Sequence, residues 1–202
     1  VEGKTPAEVA KLKILDPACG SGSFLIGAYQ FLLDWHLEWY NKKENDPEKW
    51  AKGKNPAICQ QKLSDGSYGW RLTTEKRKEI LLNNIYGVDI DRQAVEVTKL
   101  NLLLKVLEQE NTQDLFSRME RALPDLGANI KCGNSLIGSD FYDNRATLFD
   151  MEESYRVNAF DWDREFPKII RWKTRFSNGA TALPSSTGGP LAPGKGVTDL
   201  PS

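Results

Sequence analysis

The run Leu12-Lys13-Ile14-Leu15-Asp16-Pro17-Ala18-Cys19-Gly20-Ser21-Gly22-Ser23-Phe24-Leu25 decides the fold. Its apolar start, Leu12 to Leu15, has the length of a short buried strand. Asp16 to Gly22 is a glycine-containing turn, and a long segment with helical spacing follows. There Leu25, Ala28, Leu32, Trp35 and Trp39 recur at steps of three and four and share one face, which Phe24, Ile26, Phe31 and Leu33 widen. Gly20 and Gly22 let the backbone turn sharply and approach a ligand that side chains would hold off. The spacing is not the dinucleotide fingerprint, because the third glycine, Gly27, comes seven residues after Gly20 rather than five.

Outward from this run the same alternation continues. From Asn41 to about Arg71 the chain is polar and rich in Lys, Asn, Asp, Pro and Gly, an insertion between regular elements, with Trp50 and Trp70 isolated in it. Those tryptophans could stack on DNA, but pinning the loop to the core is the commoner task. Thr74 to Asn83 is expected to be a helix capped beside Thr73, and Ile85 to Asp89 a buried strand. Asp91 to about Glu110 is expected to be an amphipathic helix with Val97, Leu100, Leu104 and Leu107 on its face, and Asn129 to Gly133 a third strand. Strand, helix, strand, helix, strand predicts a parallel sheet in a doubly wound α/β layout.

Ligands of such sheets sit at the carboxyl ends of the strands, which singles out Asp16 to Gly22, Asp89 to Asp91 and Cys132 to Ser135. Asp89, at a strand end, can accept both hydroxyl hydrogens of a ribose, while Asp91 can cap the next helix.

These residues carry a resemblance. Asp16-Pro17-Ala18-Cys19-Gly20-Ser21-Gly22-Ser23-Phe24 resembles the cofactor motif of adenine-specific DNA methyltransferases, above all the large restriction-modification enzymes that join methylation and cleavage in one polypeptide. Ile85-Tyr86-Gly87-Val88-Asp89-Ile90-Asp91 is similar to the family's second motif, and Ile130-Lys131-Cys132-Gly133-Asn134-Ser135-Leu136-Ile137-Gly138 to its third. The resemblance implies a Rossmann-like S-adenosylmethionine-dependent methyltransferase fold with a partial doubly wound sheet. It implies that Asp16, Pro17, Ala18, Cys19, Gly20 and Gly22, with Phe24 beside them, hold the methionine end of S-adenosyl-L-methionine. Asp89 would hold the ribose, Ile90 would lie on the adenine ring, and Asn134 with Ser135 would meet its edge. Many members carry aspartate where Asn134 stands, and the amide oxygen of Asn134 can accept from the adenine amino group as a carboxylate would.

Methylation of an adenine amine needs the base out of the duplex and an acceptor for the amine hydrogens. The family supplies that acceptor with an Asn-Pro-Pro-aromatic motif after a fourth strand. No such motif occurs in the sequence: Asn55-Pro56 and Asp46-Pro47 lie in the insertion and are turn residues. Phe160 to Pro167 resembles the stretch just ahead of the motif, and after Ile170 the resemblance stops. The expectation is a cofactor-binding part, truncated before the catalytic motif and inactive alone, with no catalytic and no metal-binding residue assigned.

Composition sets the remaining bounds. A chain of 202 residues, 40% hydrophobic, supports one core, placed at 1–176 with the insertion at about 41–71. In 177–202, 16 of the 26 residues are Gly, Pro, Ser or Thr, so a disordered or non-native tail is expected there. Cys19, Cys59 and Cys132 are too scattered for a zinc site or disulfide framework. No apolar run is long enough for a membrane span, so the protein is placed in the cytoplasm. A net charge of −1 does not suit a self-sufficient nucleic-acid binder, so the expected partner, double-stranded DNA, is gripped elsewhere in a full-length protein. Arg164, Lys168, Arg171, Lys173 and Arg175, interleaved with Phe166 and Trp172, form one basic stretch, most simply a solvated face. The rival to the enzyme reading is an interaction module that keeps the fold without binding cofactor, its open sheet edge covered by a partner. A methyltransferase acting on protein glutamine or RNA shares the first motifs, but the insertion and the third motif favour the DNA branch.

Overall fold

In chain order the elements are α1 (Pro6–Val9), β1 (Ile14–Asp16), α2 (Ser23–Asn41), a 3-10 turn (Lys43–Asn45), α3 (Pro47–Trp50), β2 (Ile58–Lys62), β3 (Tyr68–Leu72), α4 (Thr74–Asn84), β4 (Ile85–Asp89), α5 (Arg92–Leu107), β5 (Ile130–Cys132) and α6 (Trp162–Glu165). They come from a computed structural model that describes residues 1–63, 65–108, 123–138, 141, 157–167 and 169. Val1–Ile170 form one unit; a second, Arg171–Ser202, lies outside the described residues, and with it the expected tail.

β1, β4 and β5 pair side by side, all parallel, in the order β1-β4-β5, with Asp16 opposite Gly87 and Asp89 opposite Cys132. Side chains alternate across such a sheet. Ile14, Ile85 and Ile130 join the core beneath the helices, where α2 packs on β1 and β4, and α5 on β4 and β5. Leu15, Tyr86 and Val88 face the other way and are covered by Phe160, Trp162 and Phe166. Both faces of the parallel sheet are therefore buried, and the architecture is the Rossmann-like α/β layout that the strand-helix alternation predicts.

Both helix faces need correction. On α2 the fully buried positions are Leu25, Tyr29, Leu32, His36 and Tyr40, whereas Ala28, Trp35 and Trp39 are half-buried. Phe24 and Phe31 do not widen the core face: they are 62% and 59% exposed. Polar-tipped rings can be buried here because backbone accepts them: the Tyr29 hydroxyl donates to Arg77 O at 2.9 Å, and His36 Nδ1 lies 2.7 Å from Leu32 O. On α5 three of the four residues of the expected face point outward, and the fourth, Leu107, is half-buried. Val97, Leu100 and Leu104 are 45%, 56% and 55% exposed, and the core side is Val95, Thr98, Leu102 and Val106. Thr98 breaks the apolar periodicity of the buried side, which lets the outer stripe look like the core.

The insertion is more ordered than its composition suggests. β2 and β3 form an antiparallel hairpin with Lys62 opposite Tyr68, and its Asp65-Gly66 pair, with φ +85° at Gly66, is the turn signal that composition obscured. Ile58 and Leu72 anchor the hairpin in the core. Trp50 packs against Tyr40 and Trp39 at ring separations of 5.1 and 5.8 Å, and its Nε1 donates to Asn45 O at 2.9 Å, so it pins the insertion to α2. Of the basic stretch, Arg164 is exposed and Phe166 is buried, while Lys168, Arg171, Trp172, Lys173 and Arg175 lie outside the described residues. Among the described residues no helix is long and apolar enough to cross a membrane.

Candidate functional site

Three turns meet at the carboxyl ends of the strands. The first leaves β1 at Asp16, whose Oδ1 accepts the Ala18 N–H at 3.0 Å and folds Pro17 and Ala18 into a tight bend. Cys19 N–H then donates to Val88 O at 2.9 Å, tying the loop to β4, and Gly22 N–H closes the turn on Cys19 O at 2.8 Å. Gly22 starts α2 at φ +84°, and a Cβ there would lie 2.8 Å from Thr98 Cγ2. Gly87 is the second obligatory glycine: a Cβ would come within 2.8 Å of Leu25 Cδ1, so its absence lets the start of α2 rest on β4. Gly20, at φ +54°, has nothing within 4 Å of its Cβ position and is the open side of the turn.

The second turn ends β4. Asp89 Oδ2 accepts the Gly20 N–H at 2.7 Å and Oδ1 accepts the Asp91 N–H at 2.9 Å, so one carboxylate joins the glycine loop to the strand end. Each oxygen keeps a further lone pair. Asp91 caps α5 by accepting the Gln93 N–H at 2.8 Å. Ile90, between them, is 53% exposed. The third turn follows β5. Gly133 N–H donates to Asp89 O at 2.8 Å, and a Cβ at Gly133 would collide with the Phe160 ring. Asn134 accepts the Leu136 N–H on its own Oδ1 at 3.1 Å and donates its backbone N–H to Asn158 O at 2.6 Å. Ser135 O accepts the Trp162 Nε1–H at 3.0 Å.

Asp16 to Gly22, Asp89 and Ile90 are thus brought together, with Phe24 exposed on the first turn of α2 beside them. Asn134 and Ser135 reach the group through β5 and Gly133, and the Oδ1 of Asn134 is engaged within its own turn. Ile90, Cys132 and Asn158 border an open cleft of about 740 Å³ along β5. Sequence reasoning missed three residues. Thr98 Oγ1 donates to Gly20 O at 2.8 Å and Asn101 Nδ2 to Ser21 O at 3.2 Å, both from α5. Asn158, at φ +45°, donates its Nδ2 to Cys132 Sγ at 3.5 Å. Five other polar residues of α5, Arg92, Gln93, Glu96, Lys99 and Lys105, hid the first pair among ordinary helix-surface positions.

Burial pushes the Cys19 thiol up to about 11, with the Thr98 hydroxyl working against that and the Asp89 and Asp16 carboxylates adding to it, so the sulfur stays a protonated packing group. Among the described residues no group of three or more His, Cys, Asp and Glu could hold a metal ion. What the turns offer is backbone at a glycine bend, carboxylate acceptors and the exposed aliphatic side chains of Ile90 and Leu136.

Residues 4–146 match the family model described as MmeI, DNA-methyltransferase domain. The chain is 36% identical over 160 residues to the type II restriction enzyme and methyltransferase RM.Eco57I of Escherichia coli, a match covering 79% of this chain and 14% of that protein. It is 38% identical over 131 residues to the putative type II restriction enzyme and methyltransferase RM.MjaORFECS2P of Methanocaldococcus jannaschii, covering 65% of this chain and 9% of the relative. It is 25% identical over 167 residues to the adenine-specific methyltransferase PglX of Streptomyces coelicolor, covering 80% and 11%. The chain therefore spans a small part of the length of each relative. No solved structure matches it significantly.

Proposed function

Because the chain belongs to the MmeI DNA-methyltransferase domain family, matched over 143 of its residues (4–146), we propose that it is the S-adenosyl-L-methionine-binding part of a site-specific adenine DNA methyltransferase. One observation carries the reading: the Gly20 N–H to Asp89 Oδ2 hydrogen bond of 2.7 Å puts the glycine loop and the strand-end carboxylate at one place. The residues fit the cofactor. Gly20 leaves space where a side chain would stand, the Asp89 oxygens retain acceptor capacity, and Ile90 offers an exposed apolar surface to a flat ring.

In this reading Asp16, Pro17, Ala18, Cys19, Gly20 and Gly22 hold the methionine end, with Phe24 flanking it. Asp89 accepts from the ribose hydroxyls, Ile90 lies on the adenine, and Asn134 and Ser135 meet its edge. When bound, S-adenosyl-L-methionine supplies an electrophilic methyl group. The acceptor for the adenine amine is an Asn-Pro-Pro-aromatic motif that this sequence does not contain, so the chain alone binds cofactor without turnover. Double-stranded DNA is the partner of the full-length protein, in the cytoplasm. The unit Val1–Ile170 makes the cofactor-binding domain in this reading.

Calorimetric titration of the folded chain with S-adenosyl-L-methionine and with S-adenosylhomocysteine tests this. Saturable binding is expected, weakened at least tenfold in Asp89→Ala, which removes both the ribose acceptor and the Gly20 partner. No heat from folded protein would instead favour a non-catalytic interaction module, a second reading supported by the exposed apolar stripe Val97, Leu100 and Leu104 on α5.

A further inference from the structure

We propose that α5 sets the position of the cofactor loop through two side-chain clamps, Thr98 on the Gly20 carbonyl and Asn101 on the Ser21 carbonyl. The inference rests on the cofactor reading of the loop and adds two positioning residues to it. Thr98 has no exposed surface, yet its hydroxyl is directed out of its own helix and donates to Gly20 O at 2.8 Å. Its methyl and hydroxyl occupy the space that a Cβ on Gly22 would take, at 2.8 and 2.9 Å. One turn further along, Asn101 Nδ2 reaches Ser21 O at 3.2 Å.

The consequence follows from peptide geometry. Thr98 fixes the Gly20 carbonyl from the helix side, while the Gly20 N–H is held by Asp89 Oδ2 at 2.7 Å. Gly20 is thus gripped at its N–H and at its C=O, from two different elements, in a left-handed conformation of φ +54° that glycine adopts most readily. A glycine bend free on one side samples many conformations and must lose that freedom when a ligand arrives. One already fixed loses little, and affinity rises accordingly. Both hydrogen bonds end on backbone carbonyls of the loop. They act through the loop.

The test uses the full chain and two readouts. The first is calorimetric affinity for S-adenosyl-L-methionine. Thr98→Val, which keeps shape and loses the donor, is expected to bind about tenfold more weakly, or ~1.4 kcal/mol. Thr98→Ser, which keeps the hydroxyl, is expected to stay within about twofold of wild type, and Asn101→Ala to lose roughly two- to fourfold. The second readout is hydrogen exchange at the Gly20 amide in the unliganded chain, expected to accelerate at least severalfold in Thr98→Val and not in Thr98→Ser. Wild-type affinity in a folded Thr98→Val overturns the inference, as does loss in Thr98→Ser equal to that in Thr98→Val, which would mark a packing role. Should Thr98→Val not fold, Asn101→Ala decides, and unchanged affinity there overturns the two-clamp arrangement. If wild type itself binds no cofactor, the reading of the site fails separately. Exchange at Gly20 then judges the clamps alone, with unaltered protection in Thr98→Val as the overturning result.

Discussion

α2 and α5 follow adjacent strands and pack on the same face of the sheet, yet each carries a polar residue in its buried side for a different reason. On α2 it is His36, satisfied within its own helix by Leu32 O at 2.7 Å. On α5 it is Thr98, whose hydroxyl leaves the helix for Gly20 O at 2.8 Å. The first polar group serves packing and the second serves the loop. A helix that supports a site gives up apolar periodicity on the side that matters, and its outward stripe can then look like the core.

The largest effect separates the two sides of α5. Leu102 is fully buried, and Leu102→Ala is expected to cost about 2–5 kcal/mol in urea unfolding. Leu104, 55% exposed and two residues on, is expected to change stability by no more than about 0.5 kcal/mol when replaced by alanine. Equal losses at the two positions would mean that the outer stripe is packed after all, and the contrast between the helices would disappear.

A smaller effect tests the junction of the two helices. Gly22→Ala places a Cβ at φ +84° and 2.8 Å from Thr98 Cγ2, and is expected to cost roughly 1–3 kcal/mol by thermal or urea unfolding. Thr98→Ser removes that methyl carbon. In the double variant part of the loss should return, a coupling of at least ~0.5 kcal/mol, and strict additivity would show that the methyl carbon of Thr98 contributes none of the strain.

These contacts also explain what the sequence made legible. Strands were readable because Leu12–Leu15 and Ile85–Asp89 are short apolar runs bounded by a glycine turn or a helix cap, both local signals. Asp91 as a cap was readable for the same reason, and it accepts the Gln93 N–H. The face of α5 was not, because it depends on where the Asp16–Gly22 loop lies, a partner 78 residues away from Thr98 at Gly20. The β2–β3 hairpin escaped because polar residues such as Gln60, Gln61 and Lys62 dilute its pattern, in which Ile58 and Leu72 are buried and Trp70 packs partly against the core. The candidate site was legible as three separate strand ends. That Gly20 and Asp89 share a hydrogen bond is a fact of tertiary structure.

The smallest effect concerns pH and isolates α2. Burial holds His36 below its ordinary value, the nearby Lys76 acts in the same direction, and the hydrogen bond to Leu32 and the Glu79 carboxylate oppose them. An unfolded chain protonates this imidazole near ~6.5, whereas the folded chain does so only at lower pH. Between the two values the unfolded state binds the extra proton, so this group's contribution to stability is fully present above about 6.5 and declines as pH falls through that window. The chain has a single histidine, so its ring resonances titrate without ambiguity. A midpoint below ~6.5 in the folded protein, with a melting temperature that drops between about pH 7 and 5.5 less steeply in His36→Leu than in wild type, is expected. A midpoint at or above 6.5 would show that α2 buries a charged imidazole, contrary to a packing role. Thr98 does not titrate in this range. The Gly20 clamp should therefore keep its hydrogen-exchange protection across the same pH window after correction for intrinsic rates, and a parallel loss at both positions would mean that α2 and α5 open as one unit.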